Sequence, residues 1–149
     1  TIKISKQFLS FFLILILIQI ILGALLAGLN GGLLYNSWPD MNGSFLPDDI
    51  TKNDLYNSST FSNASVIQFY HRKIAYVMFI FLIILNYFFY IKKIEYVPIV
   101  FLNIAILFQI ILGILTLLTG VKIYYASLHQ LGSVLVLTCF LFIYYKNTN

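Results

Sequence analysis

Four apolar runs, at residues 8–29, 66–91, 97–118 and 124–145, divide the 149-residue chain and leave one long polar connection, residues 30–65, between the first two. Each run is close to the roughly 20 residues that about 30 Å of hydrocarbon requires, so each reads as a membrane-spanning helix. Sixty per cent of the residues are hydrophobic and only 9% are charged, a balance that a water-soluble domain of this size has no interior to bury. The expected fold is therefore all-α and integral to the membrane: one domain over residues 1–149, an antiparallel four-helix transmembrane bundle made of two repeated helix pairs. The first run is too long for a secretory signal peptide and lacks a small-residue cleavage pattern, so it reads as a true span. The sequence opens on Thr1 rather than Met, which fits further sequence ahead of it.

An even number of spans puts both termini on one side. Lys3, Lys6, Lys92, Lys93 and Lys146 flank the membrane there against a single acid, Glu95, whereas Lys52, Arg72, Lys73 and Lys122 lie on the loop side with Asp40, Asp48, Asp49 and Asp54. The count bias is slight, but short flanks weigh more than a long loop, which turns the termini toward the cytoplasm or matrix. The net charge of +4 gathers at helix ends and does not point to nucleic acid. Cys139 has no partner for an internal disulfide and falls mid-span, where a small apolar filler is expected. The wealth of Ile, Asn, Lys, Tyr and Phe resembles an AT-rich coding bias, so the sequons at Asn42, Asn57 and Asn63 are not read as glycosylation sites.

A loop as long as 30–65 in so small a protein is often functional. Gly31-Gly32 and Trp38-Pro39 are expected to be ordered and 54–63 flexible. Ser65 and Gln68 fit a capping box that would begin the second helix, and Pro98 suits the first turn of the third.

The five letters QIILG occur twice, at 19–23 and 109–113, and one hydrophobic segment after each copy comes a histidine, His71 and then His129. An ionisable side chain within a span is costly enough that a functional role is its default reading, and imidazole is the commonest protein ligand for metals. At about 1.5 Å of rise per residue, both histidines lie roughly 7 Å below the loop-side surface, and Gly23 and Gly113 lie at nearly the same depth. Small residues such as Gly23 and Ala27 often serve only close helix packing. A flat macrocycle between the helices would also need side-chain-free space at that layer, and Ala75 and Gly132 would offer it on the histidine faces.

Zinc or copper sites usually take three or four protein ligands, and the spans contain no carboxylate to join the histidines at their depth. Haem brings four equatorial nitrogens of its own, so two axial histidines complete it. Haem b with His71 and His129 as iron ligands is the expected cofactor; the alternative is a pair of hydrogen-bonded structural histidines. Arg72, Lys73 and Lys122 lie where the propionates of such a haem would emerge, or they snorkel to the interface. Iron held by two imidazoles has no open position, which suits electron transfer or a structural role better than oxygen binding. This reading assigns no catalytic residue.

The stretches GALLAGLNGGLLYNSWPDMNGSFLPDD, VIQFYHRKIAY, QIILGILTLLTG and ASLHQLGSVLVL resemble the C-terminal half of the haem A synthase family. The similarity covers nearly the whole chain. It implies two similar four-helix halves, each with a histidine pair, and oxidation of the C8 methyl of haem O to a formyl group during cytochrome c oxidase biogenesis. His71 in QFYHR and His129 in LHQLGS match the two histidines that hold haem b. The implied partners are the substrate haem O, the lipid bilayer, haem O synthase and a ferredoxin-type electron donor, in a bacterial plasma membrane or the mitochondrial inner membrane. Four spans match one half of eight, so the substrate histidines and the catalytic acid implied by the resemblance lie outside these residues; the chain alone is expected to bind haem b without making haem A. A stand-alone bis-histidine membrane cytochrome and a haemless assembly factor are the alternatives.

Overall fold

The computed structural model describes residues 4–148; Lys3, one of the flanking bases, lies outside them. Among the described residues the chain forms four α-helices, α1 (Lys6–Gly28), α2 (Ala64–Ile91), α3 (Val97–Leu118) and α4 (Ile123–Thr148), and no β-strand. All four are long and apolar enough to cross a membrane. The four expected spans agree with these helices to within three residues at each end.

Local chemistry sets the helix ends. Asn63, not Ser65, caps α2: its side-chain oxygen accepts from the backbone N–H of Ser65 at 3.0 Å and of Val66 at 3.3 Å, satisfying donors that the first turn leaves open. Ser65 is therefore inside the helix, its hydroxyl donating to Asp49, and Gln68 turns to the loop carbonyl of Tyr35 instead of back to a cap. Pro98 occupies the first turn of α3 as expected, where no backbone donor is needed. The α3–α4 turn places Val121 at φ 58°, a region that a β-branched residue rarely enters. The same turn seats the Val121 methyl against Gly32, where an added Cβ would stand 2.9 Å from it.

Packing follows from the contacts along the helices. Phe8 near the start of α1 stacks on Phe81 and meets Phe88 edge-on, while Gln19 further along reaches His71 near the start of α2. Phe12 and Phe140 meet at 4.9 Å between centroids where α1 crosses α4, and Asn147 pairs with both backbone groups of Ile4. Each of these neighbours runs opposite to its partner. α2 and α3 touch little beyond their connecting turn, and Asn86 and Asn103 exchange hydrogen bonds of 2.9 and 2.8 Å between them.

The apolar core lies toward the terminal side. It takes Leu9, Phe12 and Ile16 from α1, Leu82 and Leu85 from α2, Leu102 and Ile106 from α3, and Phe140 from α4. The positions buried along α1 recur along α3: Phe12, Leu15, Ile16 and Leu22 correspond, ninety residues on, to Leu102, Ala105, Ile106 and Leu112. The core cluster reaches as far as Ile20, Ile74 and Ile110, each three residues from Gly23, His71 and Gly113 respectively.

The loop is folded onto the loop-side end of the bundle. Tyr35 is buried and its hydroxyl lies 2.7 Å from a carboxylate oxygen of both Asp48 and Asp49. Asn36 ties the Gly32 carbonyl to that of Leu117 at the end of α3. Around the segment 54–63, expected to be flexible, the chain forms short 3-10 turns at Lys52–Leu55 and Thr60–Ser62, joined by the Thr60 hydroxyl, which donates to the carbonyls of Asp54 and Asn57.

Candidate functional site

His71 on α2 and His129 on α4 point at one another across the bundle, with ring centroids 6.4 Å apart and planes at 82°. No hydrogen bond joins the rings among the described residues, and each leaves its Nδ1 buried without a partner. An unsatisfied buried polar atom costs about 1–3 kcal/mol, and such atoms in a folded protein call for an explanation. Here the cost arises twice, at matching positions of the duplicated segments.

The glycines of the two QIILG copies face these rings. A Cβ on Gly23 would stand 3.2 Å from Cε1 of His71, and one on Gly113 would stand 3.0 Å from Cε1 of His129. Any side chain at either position would press on the imidazole. The glutamines that open the two copies reach the same layer: Gln19 Nε2 lies 3.3 Å from Nε2 of His71, and Gln109 Nε2 donates to the backbone carbonyl of His129 at 2.6 Å. In the sequence these glutamines stand out only as the first letters of the repeat. Gly132, expected beside the cofactor, makes room for the Gln109 amide instead, since a Cβ there would collide with Gln109 Oε1.

The basic residues have separate partners. Arg72 is buried, and its guanidinium donates to the carbonyls of Tyr35 at 2.6 Å, Asp40 at 2.7 Å and Ser37 at 2.9 Å, fastening the loop directly above the histidine layer. Lys73 holds its ammonium 3.3 Å from the centre of the Phe45 ring, with Phe69 and Tyr76 nearby. Lys122 is exposed at the loop-side edge. Hydrogen bonds from the Ser37 hydroxyl and the Gly43 backbone amide, with Arg72 adding its charge, hold the Asp40 carboxyl below its ordinary value.

The donor set can be tested against what it would hold. Among the described residues no three His, Cys, Asp or Glu side chains converge to bind a bare ion. Two facing imidazoles with orphaned nitrogens, flanked by glycine and set above the apolar core, fit a group that carries its own equatorial donors and lacks two axial ones.

The chain matches a protein-family model, COX15-CtaA, described as cytochrome oxidase assembly protein, over residues 3–141. It belongs to this family. Among curated members, the haem A synthase of Pelagibacter ubique is 56% identical over 147 residues, which is 99% of this chain and 44% of that protein. The haem A synthases of Bartonella tribocorum and Wolbachia pipientis are 38% and 36% identical over 95% and 92% of this chain, each match covering 40% of the relative. The chain thus spans less than half the length of the relatives it matches. No solved structure matches it. Family membership and the four helices long and apolar enough to cross a membrane agree on an integral membrane protein.

Proposed function

We propose that this chain is the haem b-binding half of a haem A synthase, with the haem iron held between His71 and His129. The observation that carries this reading is the pair of facing imidazoles, each with a buried nitrogen that lacks a partner. Bound there between His71 and His129, haem b would supply reversible one-electron chemistry. The chain's residues do the holding. His71 and His129 donate ring lone pairs, Gly23 and Gly113 keep Cβ atoms off the rings, and Gly132 admits the Gln109 amide. Arg72 seals the loop over the layer, and Lys73 and Lys122 give that edge a positive field suited to porphyrin carboxylates.

In the whole protein this half would serve the oxidation of the C8 methyl of haem O to a formyl group, with haem O bound outside these residues. Haem O synthase and a ferredoxin-type donor would be its partners, and the termini would face the cytoplasm or matrix. Alone, the chain would bind haem b without making haem A.

The test is a reduced-minus-oxidised spectrum of the chain purified from membranes, with pyridine haemochrome analysis of the pigment. The expected result is low-spin haem b, lost in His71→Ala and in His129→Ala. A well-folded chain without haem, or unchanged spectra in both variants, would overturn the proposal.

A further inference from the structure

Resting on the reading of His71 and His129 as axial ligands, we propose that Gln19 and Gln109 are the positioning residues of the pair, Gln19 acting on the ring of His71 and Gln109 on the backbone that carries His129. Each glutamine reaches the histidine of its own copy of the repeat, but through a different atom. Gln19 Nε2 lies 3.3 Å from the ring Nε2 of His71, whereas Gln109 Nε2 donates to the main-chain carbonyl of His129. In both, the remaining amide oxygen, Oε1, is buried without a partner.

In a membrane interior no water completes an open amide oxygen; Gln68, which ties α2 to the loop carbonyl of Tyr35, also leaves its Oε1 open, so what sets Gln19 and Gln109 apart is that their amides meet a histidine. These two keep one acceptor open in the layer that also holds the open ring nitrogens. Gly132 leaves Gln109 its space, so the position of that amide is built into α4.

The chemistry differs between the two contacts. A metal-bound imidazole generally donates its second ring N–H to an acceptor, which fixes ring orientation and raises ligand basicity. The Gln19 amide carries both a donor and an acceptor on one terminal group, so a half-turn presents Oε1 to the ring as acceptor. An acceptor there favours the oxidised iron and lowers the reduction potential. Gln109 touches no ring atom, so it fixes where α4 holds His129 and leaves the ring's basicity alone.

The experiment is an optically monitored redox titration, with low-temperature electron paramagnetic resonance, of the haem-loaded full chain and its variants. Gln19→Leu should raise the potential and move the low-spin resonances while the haem stays six-coordinate. Gln19→Glu, of similar shape and keeping an acceptor, should leave the potential at or below that of the parent. Gln109→Leu should lower haem occupancy and leave the potential of the retained haem unchanged. A Gln19→Leu protein with the parent's potential and resonances overturns the inference. So does a Gln19→Glu potential above the parent's, a readout that holds even if the leucine variant fails to fold. A parent chain that folds without haem marks failure of the ligand reading itself and takes this inference with it.

Discussion

Gly113 lies so close to His129 that an added Cβ would meet Cε1 at 3.0 Å and both ring nitrogens at 3.5 Å; at Gly23 the corresponding Cβ would meet Cε1 of His71 at 3.2 Å and Nδ1 at 3.8 Å. Two effects oppose each other when alanine replaces either glycine. Alanine favours a helix interior by about 1 kcal/mol, while its methyl presses on Cε1 of the imidazole and displaces the ring. Because the contact at Gly113 is the tighter, Gly113→Ala should lose more low-spin haem than Gly23→Ala, with helix content by circular dichroism unchanged in both. Full and equal occupancy in the two variants would contradict this ranking.

Arg72 gives the second prediction. Its guanidinium satisfies the carbonyls of Tyr35, Ser37 and Asp40 from one planar fork, a geometry that a lysine ammonium cannot reproduce. Losing hydrogen bonds to a charged group costs about 1.5–3 kcal/mol. Arg72→Ala should therefore open the loop to protease at 37–40 before the helices melt, and Arg72→Lys should recover only part of the protection. Equal cleavage of parent and alanine variant would show that the loop is held by other contacts.

The helices were legible because lipid imposes a length and an apolar composition that the chain cannot hide. The duplicated QIILG and the level histidines were legible for the same reason, since helix rise converts spacing into depth. Asn63 escaped as the α2 cap because two residues in the same short stretch have capping side chains, and Ser65 with Gln68 matched the familiar pattern. Only the fold, which sends the Ser65 hydroxyl to Asp49 and the Gln68 amide to Tyr35, decides between them. The partners of Arg72 lie 32 to 37 residues away in the loop, and no local signal announces them. The glutamines were in plain view, as the first letter of each repeat, but a polar residue in a span needed the structure to show which histidine atom it meets.

Asn86 and Asn103 permit a double-mutant cycle inside the membrane. Each side-chain amide donates to the oxygen of the other, so Asn86→Leu strands the Asn103 amide, while Asn103→Leu leaves Asn86 only its bond to the Leu82 carbonyl and an open side-chain oxygen. Such interhelical bonds are worth about 0.6 kcal/mol, up to about 1.7, and stranding one partner costs more than removing both. Each single variant should lower the thermal midpoint in detergent, and the double Leu variant should recover part of the loss. Strictly additive losses would show that the two amides do not depend on one another.

The loop should respond to pH at two separate limits. Hydrogen bonds from the backbone N–H and hydroxyl of Thr51, and from Asn57, hold the Asp54 carboxyl below the ordinary aspartate value of 3.8, and Asp40 is lowered in the same direction, first by the Ser37 hydroxyl. For a depressed acid the folded form gains stability above the unfolded value and loses it as pH falls through the folded one, so the turn at Lys52–Leu55 should loosen only below pH 3.8. Tyr35 runs the other way. Burial first, then its bonds to Asp49 and Asp48, raise its pKa above the ordinary 10.0, so its contribution is complete below pH 10.0 and declines as pH rises beyond it. Amide hydrogen exchange read at Thr51 and Asn42, the latter bonded to the Ser37 hydroxyl, should show protection that falls on the acid side. Limited proteolysis at alkaline pH should report the release of Tyr35. Asp54→Asn should remove the acid response at Thr51, and Tyr35→Phe the alkaline response; a loop whose protection is flat across both limits in the parent would show that these bonds do not hold it.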